Sequence, residues 1–525
     1  MKKPIIIICI SLLAIMSVQA QRQNVWGKVL NQSNKVARTS ESGEMIVTQP
    51  EGKVYKNLYS YAEGFYSMWG LIFDGKKDGV ARDVVVANDG TVYIQNPMTF
   101  FPTNSWIKGH KTIGDTIAVE LPQLIYVNDN DVNYYATRMN FEVVDGNNQY
   151  VKDSLSQTVK YVWRNDSLIK TENNVLIGMT NADGDWNGIG DLVSSSTVCY
   201  YTNMAPSSTE AVKKYIFSFN NGGKEIFERM SEVVFEGNYV YVNNIDSDVP
   251  NAWVRGDING DKIVFNNTQF MGLFATKHAY KWVMPADVSY NSQEGTTDYK
   301  SLPSVSFNYN RDNQSFTCPE YGFMANYGYR LIDMEMQVMM KPAFRPWTEK
   351  VGKPKNPVIS VLQEIDGDTK RFVFVLDRYN VNGSFMNTKN VYYNIYLDDK
   401  KYTFTPPIYP WLNADMTDIP IDFADKTRYD FENHGNAHAV MIYEKAGRIG
   451  VQAFYQDGNN RLVTDIVYND GTVVSNINGV SEVAIGKPVY TDLSGRRVAN
   501  PSKGVYIKSV RMADGNIKSV KVLVP

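Results

Sequence analysis

Cysteine and histidine are scarce in this chain, with 3 and 4 copies among 525 residues. Cys9 falls in an N-terminal apolar run, which leaves Cys199 and Cys318 for the folded body. A disulfide framework therefore does not hold the fold together, and each domain must bury its own core. One bridge between these two cysteines and two free buried thiols are both compatible with the sequence. The histidines offer little. His434 and His438 have an i, i+4 spacing, but Gly435 and Asn436 lie between them in an expected loop and no HExxH motif occurs. His110 and His278 are isolated. Basic charge is not in excess: 53 Lys and Arg face 56 Asp and Glu, a net charge of -3. That balance excludes the basic footprint of a nucleic-acid-binding protein and makes polyanionic surfaces poor partners. No Walker loop and no G-x-S-x-G elbow occur, and Gly188-Ile189-Gly190 begins a G-x-G without its third glycine. Beyond the N-terminus no apolar run is long enough to cross a bilayer, so no transmembrane segment is expected in the mature chain. Helical periodicity is nearly absent.

The N-terminus itself reads as a secretory signal peptide over residues 1–20. Lys2 and Lys3 precede an apolar run from Ile5 to Val18, which ends on Val18-Gln19-Ala20. A positive start, a short apolar middle and a small-residue exit are what a signal peptidase requires. Cys9 lacks the small residues of a lipoprotein cleavage site, so the expected mature start is Gln21 and the expected location is secreted or cell-surface.

Period-two alternation fills the rest of the chain. Met334-Glu335-Met336-Gln337-Val338 alternates apolar and polar, as a strand with one buried face does. Phe372-Val373-Phe374-Val375-Leu376 is a continuous apolar run, as in a strand buried on both faces. Turn signals separate the runs: Asn88-Asp89-Gly90, Asp145-Gly146-Asn147, Asn259-Gly260, Asp457-Gly458-Asn459 and Asn469-Asp470-Gly471. The fold class these signals predict is all-β and multi-domain.

The chain also repeats itself. Val92-Tyr93-Ile94-Gln95-Asn96 corresponds to Val240-Tyr241-Val242-Asn243-Asn244. Trp106-Ile107-Lys108-Gly109 corresponds to Trp253-Val254-Arg255-Gly256, Gly114-Asp115 to Gly260-Asp261, and Gln123-Leu124 to Gln269-Phe270. A spacing this long exceeds the solenoid range of about 20–50 residues and implies two related β domains in tandem. In the repeated phrase, Trp253 and Arg255 should share one strand face and Val254 the other, with Gly256 ending or bulging the strand. Pro342, Pro346, Pro354 and Pro357 then mark a connector. The strands from about Val358 to Val474 suit one immunoglobulin- or fibronectin-like sandwich. The expected organisation is a first β domain at 21–205, a second, related one at 206–345, the sandwich at 346–478, and a small β unit at 479–525.

That last unit, through Asp492-Leu493-Ser494-Gly495-Arg496, Gly504-Val505-Tyr506, Lys518 and Lys521, resembles the C-terminal sorting domain of proteins exported by the type IX route in Bacteroidetes. The resemblance covers fewer than about 50 residues and implies export and surface delivery, with no activity attached. Arg448 to Tyr455 followed by Asp457-Gly458-Asn459, and the tandem Trp units, are similar to domains of uncharacterised secreted proteins of that phylum.

Candidate chemistry is thin. Asp183, Asp185, Asn187 and Asp191 place oxygen donors as an EF-hand loop would, with Gly188 at position six. Ser194 stands where the bidentate carboxylate belongs, and a polar turn is the competing reading. Ca²⁺ is the one ion this loop suggests, and no other cofactor is implied. Aromatic residues crowd two stretches: Tyr55, Tyr59, Tyr61, Phe65, Tyr66 and Trp69, then Tyr321, Phe323, Tyr327 and Tyr329. Exposed rings beside polar groups suit carbohydrate, with Trp69, Trp106, Trp253 and Tyr327 as candidate contacts; core packing is the favoured reading of these rings. The expectation is a non-enzymatic binding or adhesion protein, directed at a glycan or a host or cell-surface protein. The alternative is an extracellular glycan-degrading hydrolase with its cleft between the tandem domains.

Overall fold

The computed structural model describes residues 44–68, 71–128, 131–144, 147–221, 226–291, 296–329, 336–425, 428–458, 460–475, 488–492, 494–498, 501, 503–511 and 517–524. The signal-peptide region, Trp69, Asp145-Gly146, Met334-Glu335, Asn459 and Leu493 lie outside them. The chain is all-β, and it divides into two compact units between Trp347 and Thr348.

The first unit holds the tandem repeat. Its first half contains β1 (Lys53–Met68), β2 (Leu71–Val86), β3 (Thr91–Gln95), β4 (Trp106–Lys111), β5 (Thr116–Glu120), β6 (Gln123–Val127), β7 (Asn133–Val144), β8 (Asn147–Lys152), β9 (Thr158–Arg164), β10 (Ser167–Lys170), β11 (Val175–Thr180) and β12 (Trp186–Thr197). Strands β1 to β5 pair in succession, β5 pairs β9, β9 pairs β10, β10 pairs β12, and β12 returns to β1. The antiparallel ladder closes on itself as a barrel does. The remaining strands make an outer layer, in which β7 pairs β6, β8 and β11, and β11 pairs β12.

The second half contains β13 (Lys213–Asn220), β14 (Ile226–Glu236), β15 (Tyr239–Asn243), β16 (Trp253–Asn259), β17 (Lys262–Asn266), β18 (Gln269–Phe274), β19 (Ala279–Asn291), β20 (Thr296–Ser301), β21 (Ser304–Asn310), β22 (Ser315–Thr317), β23 (Gly322–Tyr327) and β24 (Gln337–Pro346). Every pairing of the first half recurs. The ring runs β13 to β17, then β21, β22 and β24, and back to β13. The outer layer is again β18, β19, β20 and β23 on β24.

The repeated phrase carries this shape. Gln123 Oε1 accepts from Lys108 N at 2.8 Å while its Nε2 donates to Lys108 O and Glu120 O. Gln269 does the same to Arg255 N, Arg255 O and Asn266 O. One side chain thus pins the bend between β4 and β6, or β16 and β18, by satisfying backbone groups that the ladder leaves open. Asn96 and Asn244 both sit at positive φ and donate across to Ala81 O and Met230 O. Gly256 neither ends nor bulges its strand, contrary to expectation, and neither does its counterpart Gly109. Gly109 and Gly256 lie within β4 and β16, and a Cβ on Gly109 would stand 2.4 Å from Ala118 O. The glycine is there to let the neighbouring strand approach.

Side-chain alternation fills the rings. Val84, Val92, Ile94, Ile107, Ile117, Val119 and Val159 face the first core. Phe217, Phe265, Phe307, Phe316 and Phe344 fill the second, with Phe217 and Phe316 each stacked on Phe344 at 4.6 Å.

In the second unit, β25 (Val358–Asp366), β26 (Thr369–Val375), β27 (Val391–Leu397), β28 (Lys400–Lys401), β29 (Ile419–Pro420), β30 (Phe431–His434), β31 (Ala437–Ile442), β32 (Ile449–Asp457), β33 (Asn460–Val463), β34 (Ile466–Tyr468) and β35 (Val473–Val474) form two sheets. Their orders are β25-β26-β31-β30 and β28-β27-β32-β34-β35. These correspond to the A-B-E-D and C′-C-F-G arrangement of an immunoglobulin-type sandwich. Phe372, Phe374, Tyr393, Ile395, Val440 and Val451 meet between them, and Val373 is buried on the opposite face of β26. Four further strands, β36 (Val489–Thr491), β37 (Arg497–Val498), β38 (Gly504–Arg511) and β39 (Ile517–Val524), form a separate sheet in the order β37-β36-β38-β39.

Replacing Gln269 by Ala removes three hydrogen bonds and leaves the half-buried Arg255 backbone groups without this partner. The expected loss of stability is about 2 kcal/mol, read by urea denaturation of the chain; a change below about 0.5 kcal/mol would mean the glutamine clip does not hold the bend.

Candidate functional site

The two repeats meet where β19 reaches β2. Ala279 pairs with Val80, Ala81 N donates to His278 O at 2.6 Å, and the Tyr280 hydroxyl donates to Asn57 O at 2.6 Å. Gly79 and Gly328, both at positive φ, come so close that a Cβ on Gly79 would stand 2.4 Å from the Gly328 Cα. Tyr329 N then donates to Asp78 Oδ1 at 3.0 Å.

This junction gathers aromatic rings from both crowded stretches. Trp282, 4% exposed, is met edge-on by Tyr201 at 4.6 Å, by Tyr329 at 5.1 Å and by Tyr59 at 6.5 Å between ring centroids. Phe270 and Tyr280 complete the cluster. Tyr201 and Tyr329 are 51% and 52% exposed, so each offers open ring surface over a buried aromatic floor. Burial first, and the Asp78 carboxylate second, push the Tyr59 and Tyr201 hydroxyls above the usual tyrosine range. Both therefore stay protonated and able to donate at neutral pH. Tyr59 and Tyr329 lie in the stretches the sequence marks. Tyr201, Trp282 and Asp78 escaped sequence reasoning, because nothing local announces that β2 and β19 touch.

The candidate contacts fare differently. Trp106 and Trp253 are 2% and 9% exposed and cannot stack on a sugar. Each lies on the strand face opposite Ile107 or Val254, as the alternation requires. The chain that leads into each repeat is anchored there, with Trp106 N donating to Ile46 O and Trp253 N to Asn203 Oδ1. Tyr327 is also committed. Its hydroxyl donates to Asp248 Oδ2 at 3.0 Å, and the Lys281 ammonium sits 4.1 Å over its ring. Lys281 is buried and ion-paired with Asp246 at 2.8 Å and Asp248 at 3.2 Å. Burial opposes its charge, but the two carboxylates outweigh it and hold the ammonium above the usual lysine range. Trp69 lies outside the described residues.

The calcium loop does not form. Asn181 to Asp185 is a turn closed on itself, with Asp185 N donating to Asn181 Oδ1 and Asn181 Nδ2 donating to Asp185 Oδ2. Asp183 is exposed, and Asn187 Oδ1 accepts from Ile189 N. Asp191 is fully buried in β12 and points elsewhere, accepting Thr99 N at 2.7 Å and Phe100 N at 3.3 Å. Burial pushes its carboxyl up, and buried Arg82 opposes that shift. Among the described residues no group of three His, Cys, Asp or Glu side chains could hold a metal ion. The histidine spacing is likewise not a zinc site. His434 leans on Glu432 at 3.1 Å, whereas His438 is buried between Ile421 O and Asn436 O. Cys199 and Cys318 are both free.

No family model matches the chain, and no curated protein matches it.

Removing the Asp191 carboxylate by an Asp191→Ala change strands two backbone N–H groups and leaves Arg82 without its neighbouring charge. About 3 kcal/mol or more of stability should be lost, while millimolar calcium leaves the melting temperature of both forms unchanged. A calcium-dependent rise in melting temperature would restore the ion site. His438 sets a pH dependence. Burial lowers its pKa to about 4, against the pull of the two carbonyls. Its contribution to stability is therefore complete above the unfolded value of about 6.5 and is lost as pH falls toward 4, by ~3 kcal/mol. An NMR titration should place the His438 midpoint near 4, and a midpoint near 6.5 would contradict this account.

Proposed function

We propose that this chain is a secreted or surface-exposed recognition protein that binds carbohydrate without catalysis, with the Tyr201–Tyr329 face as its contact surface. The observation that carries this reading is the pair of half-exposed tyrosines standing on buried Trp282 beside Asp78. Sugar C–H faces pack on aromatic rings, and their hydroxyls need nearby donors and acceptors. Here the rings, the tyrosine hydroxyls and the carboxylate lie together, on an anchored floor that costs little further ordering on binding. The N-terminal signal-peptide pattern and the sorting-like C-terminal sheet support delivery outside the cell, with residues 479–525 as the export module.

A glycan array probed with the chain from Gln21 onward tests the reading. One sugar class should bind reproducibly. Replacing Tyr201 and Tyr329 by Ala should weaken that binding at least tenfold, about 1.4 kcal/mol, with little change in melting temperature because both rings are half exposed. A blank array, or binding indifferent to the two substitutions, removes this face as a carbohydrate site.

A further inference from the structure

We propose that the outer face of β19, β23 and β24 is a binding site for a soft monovalent cation, Cu(I) or Ag(I), held by methionine thioethers. The ladder brings the donors together. Met284 on β19 stands directly opposite Met324 on β23, Met324 stands opposite Val338 on β24, and Met340 stands one rung further, opposite Gly322. Directly opposed residues of an antiparallel pair have Cβ atoms about 4.5–5.5 Å apart, so two flexible thioethers can reach one ion. Met284, Met324 and Val338 belong to one contact cluster, against which Met336 and Met340 pack. Met284 and Met324 are 2% and 0% exposed, while Met336 and Met340 are half buried. The inner donors are therefore dry and the outer ones are reachable. Thioether sulfur favours Cu(I) over the hard and borderline divalent ions. No competing cluster of three His, Cys, Asp or Glu exists among the described residues.

The duplicated fold supplies an internal control. The same rung in the first repeat is Thr137 opposite Gly178 opposite Gly190. The topology therefore does not require methionine there. Gap filling is the ordinary use of a methionine, and Met339 serves that way on the opposite face of β24, inside the ring core. In the first repeat the space over Gly178 is taken by Met139 and Trp186, whereas the second repeat gathers four thioethers on the equivalent face.

Silver nitrate titrated into the full chain, with methionine methyls observed by ¹³C NMR, tests the site. At one equivalent the methyls of Met284 and Met324 should shift, with Met336 and Met340 following. Reading each methyl separately keeps binding at the thiols from being mistaken for this site. The paired Met284→Leu and Met324→Leu changes preserve side-chain volume, and calorimetry should show one equivalent of silver fewer than in the parent chain. Methyls that do not move, or a stoichiometry unchanged in the double variant, would overturn the proposal.

Discussion

Ring closure is the constraint on which each repeat depends. An open antiparallel sheet leaves two unpaired edges, which water or another chain must satisfy, whereas a closed ladder pairs every strand on both sides. Here closure comes from pairing β5 with β9 and β12 with β1, strands that local hairpins do not join. Among the described residues both cysteines are free, which is consistent with that design, because the hydrogen-bonded ring and its packed interior do the holding. The rest of the repeated phrase serves the ring. The glutamine clip fixes a bend that the ladder cannot, and the mid-strand glycine lets adjacent strands draw close at that bend. Asparagine at positive φ turns the chain out of β3 or β15 and donates to the strand before it.

One frame, used twice, is filled in two ways. The second ring carries a stack of phenylalanines. The first places Arg82, fully buried, against Asn96 O, Thr99 and Ser196, with Asp191 nearby. The connection between the third and fourth strands is pinned in both, but with opposite chemistry. In the first repeat that loop offers backbone N–H groups to the Asp191 carboxylate. In the second it offers the carboxylates of Asp246 and Asp248 to Lys281. A buried ion cluster is costly to break, since each charge left behind is uncompensated. Each copy has thus locked the same loop by its own route.

Much of this architecture is legible in the residues. Alternation and Asn-Gly or Asp-Gly turns mark the strands, and the ordered matches from Val92 to Gln123 and from Val240 to Gln269 mark the duplication. The face assignment of Trp253, Val254 and Arg255 follows from the pleat alone. The reading of Gly256 as a strand end or bulge fails because a missing Cβ has two uses. It can free the backbone to turn, or it can make room for a neighbour, and only the neighbour's position distinguishes them. The acidic loop misleads for a related reason. The spacing suggests one loop, but a strand begins inside it: Asp183 and Asp185 sit in an exposed turn before β12, whereas Asp191 lies within β12 and is buried against Thr99 N and Phe100 N. Ring closure and the aromatic junction are non-local: Tyr59 and Trp282 lie in different repeats, and no local pattern records that they touch.

The junction is where the duplication becomes more than a sum. Gly79 and Gly328 allow backbone to meet backbone, and any side chain at either position would push the repeats apart. Their approach sets Tyr329 on Asp78 and brings Tyr59 of one repeat against Trp282 of the other. Neither repeat alone contains this cluster. Under the proposed carbohydrate reading, the exposed tyrosines stand on a junction braced by two closed rings and would be held in place before the sugar arrives. Such preorganisation would reduce the ordering cost of that binding, and it would depend on two glycines, Gly79 and Gly328, whose role is to let the repeats meet.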